Sequence, residues 1–368
     1  MGALTEPVPI LGIGATPWTE ESDAALDELV FVATFGALRE AGVRKHELGL
    51  AVQASMDVYD ARSISSGLTT AAAGGYLSDS YRIQGDLGQA VIAAAQAVAA
   101  GDVELAVAVG VYHPEVAAAD RAGFVEQISN LAFDPHLDRP VGLTGTALLG
   151  MHAGHAVDTG VLTEHRLAEL AAAEHNRAAE AGTDPLTAAG VLASAPVHGV
   201  LRELMLPAAC TGAVAVVLGS RARARRAKGR RGALTGWGQG GGDTTSSGRW
   251  LTDPAASARA AAAQAYRRAG VAEPAEQVDV VELTAATPAL LEPVTEALGL
   301  AKLPGEVVNP SGGVRVSWPG LANGGLRMLE VVRALERRSG SGRAVVHSAD
   351  LVTGPACDTA TVLVVEGG

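Results

Sequence analysis

The glycine-rich segment from Asn309 to Gly325 is the stretch of this sequence best suited to chemistry. It reads NPSGGVRVSWPGLANGG and separates a predicted strand from a predicted helix. Repeated glycine and proline need special backbone geometry, and such turns can bring backbone N–H groups close to a ligand at a helix start. A purely structural turn is the competing interpretation, but it rarely needs so many of these residues, so the segment favours function.

Two other patterns carry weaker chemical signals. The glycine run Gly236–Gly242 invites a phosphate-loop interpretation, but no Lys-Ser or Lys-Thr pair follows it and the dinucleotide-binding spacing is absent. We therefore expect a flexible turn there. His152 and His155 could share a helix face and bind a metal, yet no third ligand stands nearby. We expect them to be surface or supporting histidines, and we expect no metal.

Charge and cysteine content narrow the function further. The 28 Lys and Arg against 40 Asp and Glu give a net charge of −12, which disfavours a nucleic-acid partner. A basic run at 221–231 could grip the phosphates of a carrier such as coenzyme A, with Arg225 among its members, or it could be a solvated helix end and linker. The two cysteines, Cys210 and Cys357, exclude a disulfide framework and fit a reducing cytoplasm.

The 368 residues suggest one large domain or two of ordinary size. No basic region precedes the first apolar run, so we expect no secretory signal. The longest apolar stretch, Ala90–Gly110, is interrupted by polar residues, so we expect no membrane span.

The elements that must position these residues alternate between strands and helices. The predicted strands are Val8–Ala15, Leu48–Ser55, Val103–Val111, Ala233–Gln239, Val278–Thr284, Glu306–Asn309, Arg343–Ala349 and Thr361–Glu366. The predicted helices are Asp23–Ala41, Leu87–Ala100, Thr163–Ala181, Pro254–Ala269, Pro288–Leu298 and Leu321–Arg337. The order repeats, so we predict two α/β halves, 1–230 and 231–368, with an insertion at about 115–208 in the first.

These residues resemble the thiolase superfamily, in particular its sterol-carrier-type members. The segment from Asn309 to Gly325 is similar to the C-terminal signature Asn-x-x-Gly-Gly-x-x-x-x-Gly-His-Pro-x-Gly-x-x-Gly. The phrase at 174–179, EHNRAA, and the strand at 211–218, TGAVAVVL, are similar to two further segments of the family. The resemblance implies a duplicated thiolase-like fold of the α/β class, layered α/β/α/β/α, with two mixed sheets and buried central helices.

The departures from the family pattern fall on its catalytic positions. The nucleophilic cysteine would fall near Gln84, and the histidine of the signature is Trp318. Thr284 stands where a histidine or asparagine is expected, and the second catalytic cysteine is replaced near Asp350. We expect Cys210 to be a packing residue, and Cys357 to be a poor candidate for the nucleophile.

Some relatives that lack the cysteine act as aldolases, which cleave a β-hydroxyacyl-CoA by a retro-aldol reaction. Such a reaction needs a base and donors for an enolate. The resemblance therefore implies chemistry on an acyl thioester without a cysteine nucleophile, of retro-aldol or acyl-transfer type. The implied candidates are Asp86, Tyr112, His113, Trp318, His347 and Asp350. No cofactor is expected to be covalently bound. The implied substrate carrier is coenzyme A or a carrier protein, with candidate contacts Gly312, Gly313, Ser317, Gly320 and Arg225. The tyrosines that these aldolases use in the C-terminal half have no counterpart here.

The alternative is a catalytically silent thiolase-like subunit. It would partner an active thiolase or ketosynthase, or an OB-fold or zinc-ribbon protein that helps to bind the acyl carrier. Either function is compatible with a homodimer or a heteromer of the cytoplasm, with neither nucleic acid nor membrane as a partner.

Overall fold

A computed structural model describes residues 6–58, 60, 64–75, 78–113, 121–179, 182–227, 231–242, 249–338, 340–349 and 359–368. The predicted site residue Asp350, together with Cys357, lies outside these described residues.

Strands and helices alternate through both halves of the chain. The strands are β1 (Val8–Ala15), β2 (Leu50–Ala54), β3 (Asp79–Ile83), β4 (Leu105–Tyr112), β5 (Pro196–His198), β6 (Leu201–Arg202), β7 (Gly212–Gly219), β8 (Ala233–Gly241), β9 (Val280–Leu283), β10 (Arg343–Ala349) and β11 (Thr359–Glu366). The helices are α1 (Leu26–Ala41), α2 (Ser65–Thr69), α3 (Leu87–Ala100), α4 (Arg121–Asn130), α5 (Gly145–Asp158), α6 (Glu164–Ala178), α7 (Ala188–Leu192), α8 (Arg221–Ala224), α9 (Arg249–Thr252), α10 (Ala256–Ala269), α11 (Pro274–Gln277), α12 (Leu291–Ala297) and α13 (Asn323–Arg337).

The strand pairing repeats between the two halves. Nine strands run in the order β3-β2-β4-β7-β1-β8-β11-β10-β9. In the first half β1 pairs antiparallel with β7, β7 pairs antiparallel with β4, and β4 pairs parallel with β2. In the second half β8, β11, β10 and β9 repeat this sequence of pairings. The two expected mixed sheets are the two halves of this single nine-stranded sheet, which the pairing of Val8 with Leu234 and of Pro9 with Ala233 joins edge to edge.

The helices form layers around these sheets. One apolar cluster places α3 and α13 between the inner faces of both half-sheets. A second packs α1 on the outer face of the first half-sheet, and a third packs α5, α6, α10 and α12 on the outer face of the second. The predicted α/β/α/β/α layering with buried central helices is confirmed.

Glycine explains how closely each half packs its outer helix. A Cβ on Gly14 would overlap the carbonyl oxygen of Ala33 in α1, and a Cβ on Gly238 would overlap that of Ala261 in α10. The flexible turn expected at 236–242 is therefore wrong up to residue 241, because this glycine-rich run forms β8, where each alternate glycine faces a helix backbone.

Two further differences concern short elements. The strand predicted at 306–309 is a 3₁₀ turn, Gly305–Val307, with a single bridge from Val308 to Val281. The left-handed φ of 49° at Asn309 ends any extension. β3 has no counterpart in the prediction because this exposed edge strand lacks an apolar face. Among the described residues, no helix is long and apolar enough to cross a membrane.

Candidate functional site

Asp86 lies where the first turns of the two central helices meet. Its Oδ1 accepts hydrogen bonds from the Gly88 amide and the Ser348 hydroxyl, each at 2.7 Å. Its Oδ2 accepts one from the Gly324 amide at 3.0 Å. Asp86 is the N-cap of α3, and Gly324 belongs to the first turn of α13, so two helix N-termini stabilise one buried negative charge.

Glycine makes this junction possible. A Cβ on Gly324 would overlap Asp86 Oδ1, and a Cβ on Gly88 would lie 2.6 Å from Ser348 Oγ. Only residues without a side chain let the two helix starts approach a shared carboxylate.

An aromatic pair lies beside the glycine-rich segment. The rings of Tyr112 and Trp318 have centroids 5.8 Å apart with an interplanar angle of 44°. They pack with Ile128, Val314 and Leu321 in a small apolar cluster. Since both aromatic side chains are buried, this cluster supplies shape and an apolar wall but no base.

A polar chain runs from β10 to the start of α13. The Thr284 amide lies 3.3 Å from Nδ1 of His347 and donates to it, and Asn323 Nδ2 donates to Thr284 Oγ1 at 2.8 Å. Burial lowers the pKa of His347 to about 4, so its imidazole is neutral near pH 7 and carries its proton on Nε2. Asn323 Oδ1 is buried without a hydrogen-bond partner. Sequence reasoning missed Asn323, although it lies inside the segment that was singled out.

A buried ion pair holds this segment against α13. Arg327 Nη1 and Glu282 Oε2 are 2.9 Å apart, and both side chains are fully buried. Arg327 Nη2 also donates to the hydroxyl of Ser317 at 3.0 Å, and Ser311 donates to Glu282 through its amide and its hydroxyl. Burial raises the pKa of Glu282, and the Arg327 guanidinium opposes that rise.

A second buried pair ties the insertion to the same segment. Glu174 in α6 lies 3.3 Å from Nε of Arg315, and its Oε1 accepts a hydrogen bond from Asn309 Nδ2 at 2.7 Å. Asn309 Oδ1 in turn accepts from the Leu283 amide at 2.7 Å. Neither pair was predicted, because each joins residues far apart in the chain.

The structure places the predicted carrier-binding glycines against protein atoms. Gly312, Gly313 and Gly320 have positive φ values of 85°, 60° and 45°, so all three shape turns. A Cβ on Gly313 would lie 2.6 Å from the side chain of Asn309, and one on Gly320 would overlap the ring of Tyr112.

Arg225 lies far from the helix junction. β4 and β7 run antiparallel, with Tyr112 opposite Gly212 at one end and Leu105 opposite Gly219 at the other. Arg225 follows Gly219 through α8, so the structure does not bring it together with Tyr112. Its contact with a carrier stays a prediction.

Cys210 is the thiol that the structure describes, and it lies beside the glycine-rich segment. Its amide donates to the Trp318 carbonyl at 3.1 Å. Burial raises the pKa of Cys210 to about 11, so the thiol stays protonated near neutral pH and is a poor nucleophile.

The described part of the chain contains clefts of about 720 Å³ and 410 Å³. Neither is lined by the five described candidates for catalysis, which are Asp86, Tyr112, His113, Trp318 and His347. His113 directly follows β4 and is buried with the others. Across the described ranges, no group of three or more His, Cys, Asp and Glu side chains could hold a metal ion.

Comparison with known proteins rests on structure. No protein-family model and no curated protein matches the chain. The solved structure of the Ltp2-ChsH2(DUF35) aldolase is similar to it with a TM-score of 0.77 and 22% identity, covering 99% of both chains. Human mitochondrial 3-ketoacyl-CoA thiolase in complex with CoA is similar with a TM-score of 0.76 and 16% identity, covering 100% of this chain and 99% of the thiolase. The chain therefore has the thiolase fold.

Proposed function

We propose that this chain belongs to the thiolase superfamily and acts on an acyl thioester without a cysteine nucleophile, by a retro-aldol cleavage. The observation that carries the proposal is the Asp86 carboxylate, rather than a thiol, at the junction of α3 and α13. The likeness to an aldolase over 99% of both chains supports the same reaction class. The thiolase neighbour solved with CoA supports a coenzyme A thioester as the substrate carrier.

A retro-aldol cleavage suits a site with a base and no nucleophile. A base removes the proton of the β-hydroxyl group, the Cα–Cβ bond breaks, and its electron pair forms the thioester enolate. Protonation of the enolate gives a shorter acyl thioester, and the other fragment leaves as a ketone or an aldehyde. We assign the base to Asp86 or His113, and enolate stabilisation to donors among Tyr112, Trp318 and His347.

Asp86 has the geometry of a restrained base. Three donors fix the position and orientation of its carboxyl group where the two central helices begin.

The second candidate function is the catalytically silent subunit. The observation in its favour is burial, since the five described candidates for catalysis are each at most 6% exposed. The apolar packing of Tyr112 and Trp318 also fills space beside the segment. A silent chain would dimerise with an active thiolase-like subunit or hold an OB-fold or zinc-ribbon protein, and the name of the Ltp2-ChsH2(DUF35) aldolase joins two components.

The decisive experiment is an assay with β-hydroxyacyl-CoA esters, with the released ketone or aldehyde measured by mass spectrometry. A retro-aldol enzyme forms carbonyl product and a shortened acyl-CoA in equal amounts. Acyl transfer would instead exchange the acyl group and release no carbonyl compound. No product from any ester, together with copurification of an active homologue, would establish the silent subunit.

Variants separate the two assigned bases. Asp86→Asn should lower kcat at least about 100-fold if Asp86 is the base, whereas His113→Ala should do so if the imidazole is. Ser348→Ala is the matched control, because it removes one donor to Asp86 and keeps the carboxylate. Thermal melts verify that each variant is folded, so that a loss of kcat reports chemistry.

A further inference from the structure

The outer surface of α1 carries large apolar side chains in the middle of the helix. Phe31 and Phe35 are each 54% exposed and Val32 is 50% exposed, although α1 packs its other face on the first half-sheet. The two phenylalanine rings stack on each other, with centroids 5.7 Å apart and an interplanar angle of 11°. Exposed aromatic side chains that lie together in this way are typical of a protein–protein interface.

Charged side chains of opposite sign lie at the two ends of this apolar stripe. Glu28 precedes Phe35 by two helical turns and Arg39 follows it by one turn, so all three lie on the same face of α1. The side chains of Glu28 and Arg39 are both exposed. Glu21 and Asp23 add exposed acidic groups just before the helix. The stripe therefore begins beside negative charge and ends beside a positive one.

The acidic groups near the end of α1 are neutralised within the chain. Glu40 accepts a hydrogen bond from Nε of Arg231 at 2.6 Å, and Glu47 accepts one from Arg223 at 2.5 Å. Both carboxylates thus have a guanidinium partner on the same outer side of the first half-sheet. The positive charge of Arg39 is therefore not cancelled by these two carboxylates, and the sign of the surface charge changes along α1.

This pattern is complementary to a copy of itself that runs in the opposite direction. In an antiparallel pair of α1 helices, Glu28 of each copy faces Arg39 of the other, and Val32 of each packs against Phe35 of the other. A two-fold axis relates the two copies, so each favourable contact occurs twice. The helix dipoles also oppose each other in this arrangement. A partner with charge of one sign would match only one end of the stripe.

We propose that the exposed face of α1 is a self-association surface, on which a second copy of this chain packs its own α1 antiparallel. A helix of 16 residues is about 24 Å long. One helix face is smaller than the roughly 800 Å² per partner of a standard interface, so we expect a dissociation constant of about 10–100 µM. The inference is independent of the proposed retro-aldol reaction, because α1 lies on the outer face of the first half-sheet and Asp86 between the central helices.

The test is sedimentation velocity on the full chain at low salt, between about 1 and 200 µM, where the sedimentation coefficient should rise with concentration. Phe31→Gln with Phe35→Gln should lower the association constant at least about tenfold, because it removes the apolar centre of the surface. The matched control is Leu137→Gln with Val141→Gln, which replaces two exposed apolar residues of the insertion and should leave association unchanged. Equal loss in both double variants, or no dependence on concentration, would overturn the inference.

Charge reversal tests the antiparallel pairing. Glu28→Lys places a cation opposite Arg39 of the other copy, and Arg39→Glu places an anion opposite Glu28, so each variant alone should associate at least about tenfold more weakly. An equimolar mixture of the two variants should associate again, because every charge contact between them then joins opposite signs. Thermal melts verify that each variant is folded, since Glu28 also accepts a hydrogen bond from the Ala25 amide. A mixture that associates no better than its separate components would contradict the pairing of α1 with a second copy.

Discussion

The central helices α3 and α13 hold equivalent places in the two halves, yet they begin differently. α3 has its own N-cap, Asp86, whereas Ala322 precedes α13 and offers no side-chain cap. The Gly324 amide of α13 instead donates to Asp86 of the other half. One carboxylate therefore serves both copies of the duplicated unit, and the asymmetry of the molecule is concentrated at the candidate site.

The outer helices show no such asymmetry. Gly14 beneath α1 and Gly238 beneath α10 make the same close approach to a helix backbone. The two halves of the chain therefore pack their outer helices in the same way, through a glycine in the adjacent strand. They differ where their central helices meet.

The largest effect should come from separating the two helix starts. Gly324→Ala adds a Cβ that would overlap Asp86 Oδ1 and lie 2.7 Å from the Gly88 amide nitrogen. The Gly88 nitrogen is backbone, and Asp86 is held by three hydrogen bonds, so neither can move aside easily. We expect a loss of about 5 kcal/mol in the free energy of unfolding, measured by urea denaturation.

Gly154→Ala is the control for that substitution. Gly154 lies inside α5, and a Cβ there would meet no atom within 4 Å. Alanine should stabilise the helix by up to about 1 kcal/mol. A mild effect of Gly324→Ala would mean that α3 and α13 are less closely joined than their contacts indicate.

The next effect concerns a charge that α13 has and α3 lacks. Glu282→Gln removes the partner of Arg327 and leaves a buried guanidinium without a counter-charge. We expect a loss of about 4 kcal/mol in the free energy of unfolding, because an uncompensated buried charge is costly.

The exposed pair Arg259–Asp253 provides the contrast to this buried pair. Its side chains are 57% and 42% exposed, so Asp253→Asn should cost about 1 kcal/mol or less. If Glu282→Gln and Asp253→Asn lowered the free energy of unfolding equally, burial of the Glu282–Arg327 pair would not increase the cost of removing its carboxylate.

The strands beside the two central helices differ in titration. β4 is apolar from Leu105 to Val111, whereas β10 buries His347, whose pKa is lowered to about 4 from 6.5. The unfolded chain takes up this proton near pH 6.5 and the folded chain only near pH 4. The neutral, buried His347 therefore contributes about 3 kcal/mol to the free energy of unfolding above pH 6.5. This contribution is lost as the pH falls from 6.5 to 4.

Denaturation curves between pH 4 and 8 test this sign. His347→Gln should flatten the slope between pH 4 and 6.5 relative to the unsubstituted chain. His152 contributes in the same direction, and Asp60, whose pKa is raised to about 6 by burial, acts in the opposite one. An unchanged slope in His347→Gln would contradict the burial of a neutral imidazole in β10.

Local sequence patterns were sufficient for the elements that pack in a regular way. The strand predicted from Arg343 to Ala349 matches β10, whose five central residues are all buried. Thr163 was identified as the N-cap of α6, where its hydroxyl accepts from the Arg166 amide at 3.1 Å. β3 was missed because an exposed edge strand needs no apolar pattern. The division at residue 230 stays a prediction.

The candidate site was less predictable because its contacts are long-range. Asp86 was placed among the candidates, but its bonds to Gly324 and Ser348 join residues more than two hundred positions apart. Glu174 and Asn323 gain their importance only after folding, from partners in other elements. Sequence patterns indicate which side of a helix or strand is buried. They do not indicate which backbone amide, far away in the chain, a side chain will bond to after folding.

The smallest of these losses in stability tests Asp86 itself, which we call the shared cap because it accepts hydrogen bonds at the starts of both α3 and α13. Asp86→Asn keeps the shape of the side chain but replaces one oxygen by an NH₂ group. The fixed donors Gly88 and Gly324 bond to different oxygens, so the amide nitrogen of Asn must face one of them. Ser348 can redirect its hydroxyl to Thr361, 2.6 Å away, but a backbone amide cannot turn. We expect a loss of about 2 kcal/mol in the free energy of unfolding, against about 1 kcal/mol for Thr163→Ala at the ordinary cap of α6.

Amide hydrogen exchange distinguishes a shared cap from a local one. If Asp86 joins the two copies, Asp86→Asn should speed exchange at the first turns of both α3 and α13, whereas Thr163→Ala should affect α6 alone. Faster exchange confined to α3 would mean that Asp86 is an ordinary N-cap. The bond to Gly324 would then contribute nothing to the start of α13, and the asymmetry between the halves would lie in the aromatic pair of Tyr112 and Trp318 instead.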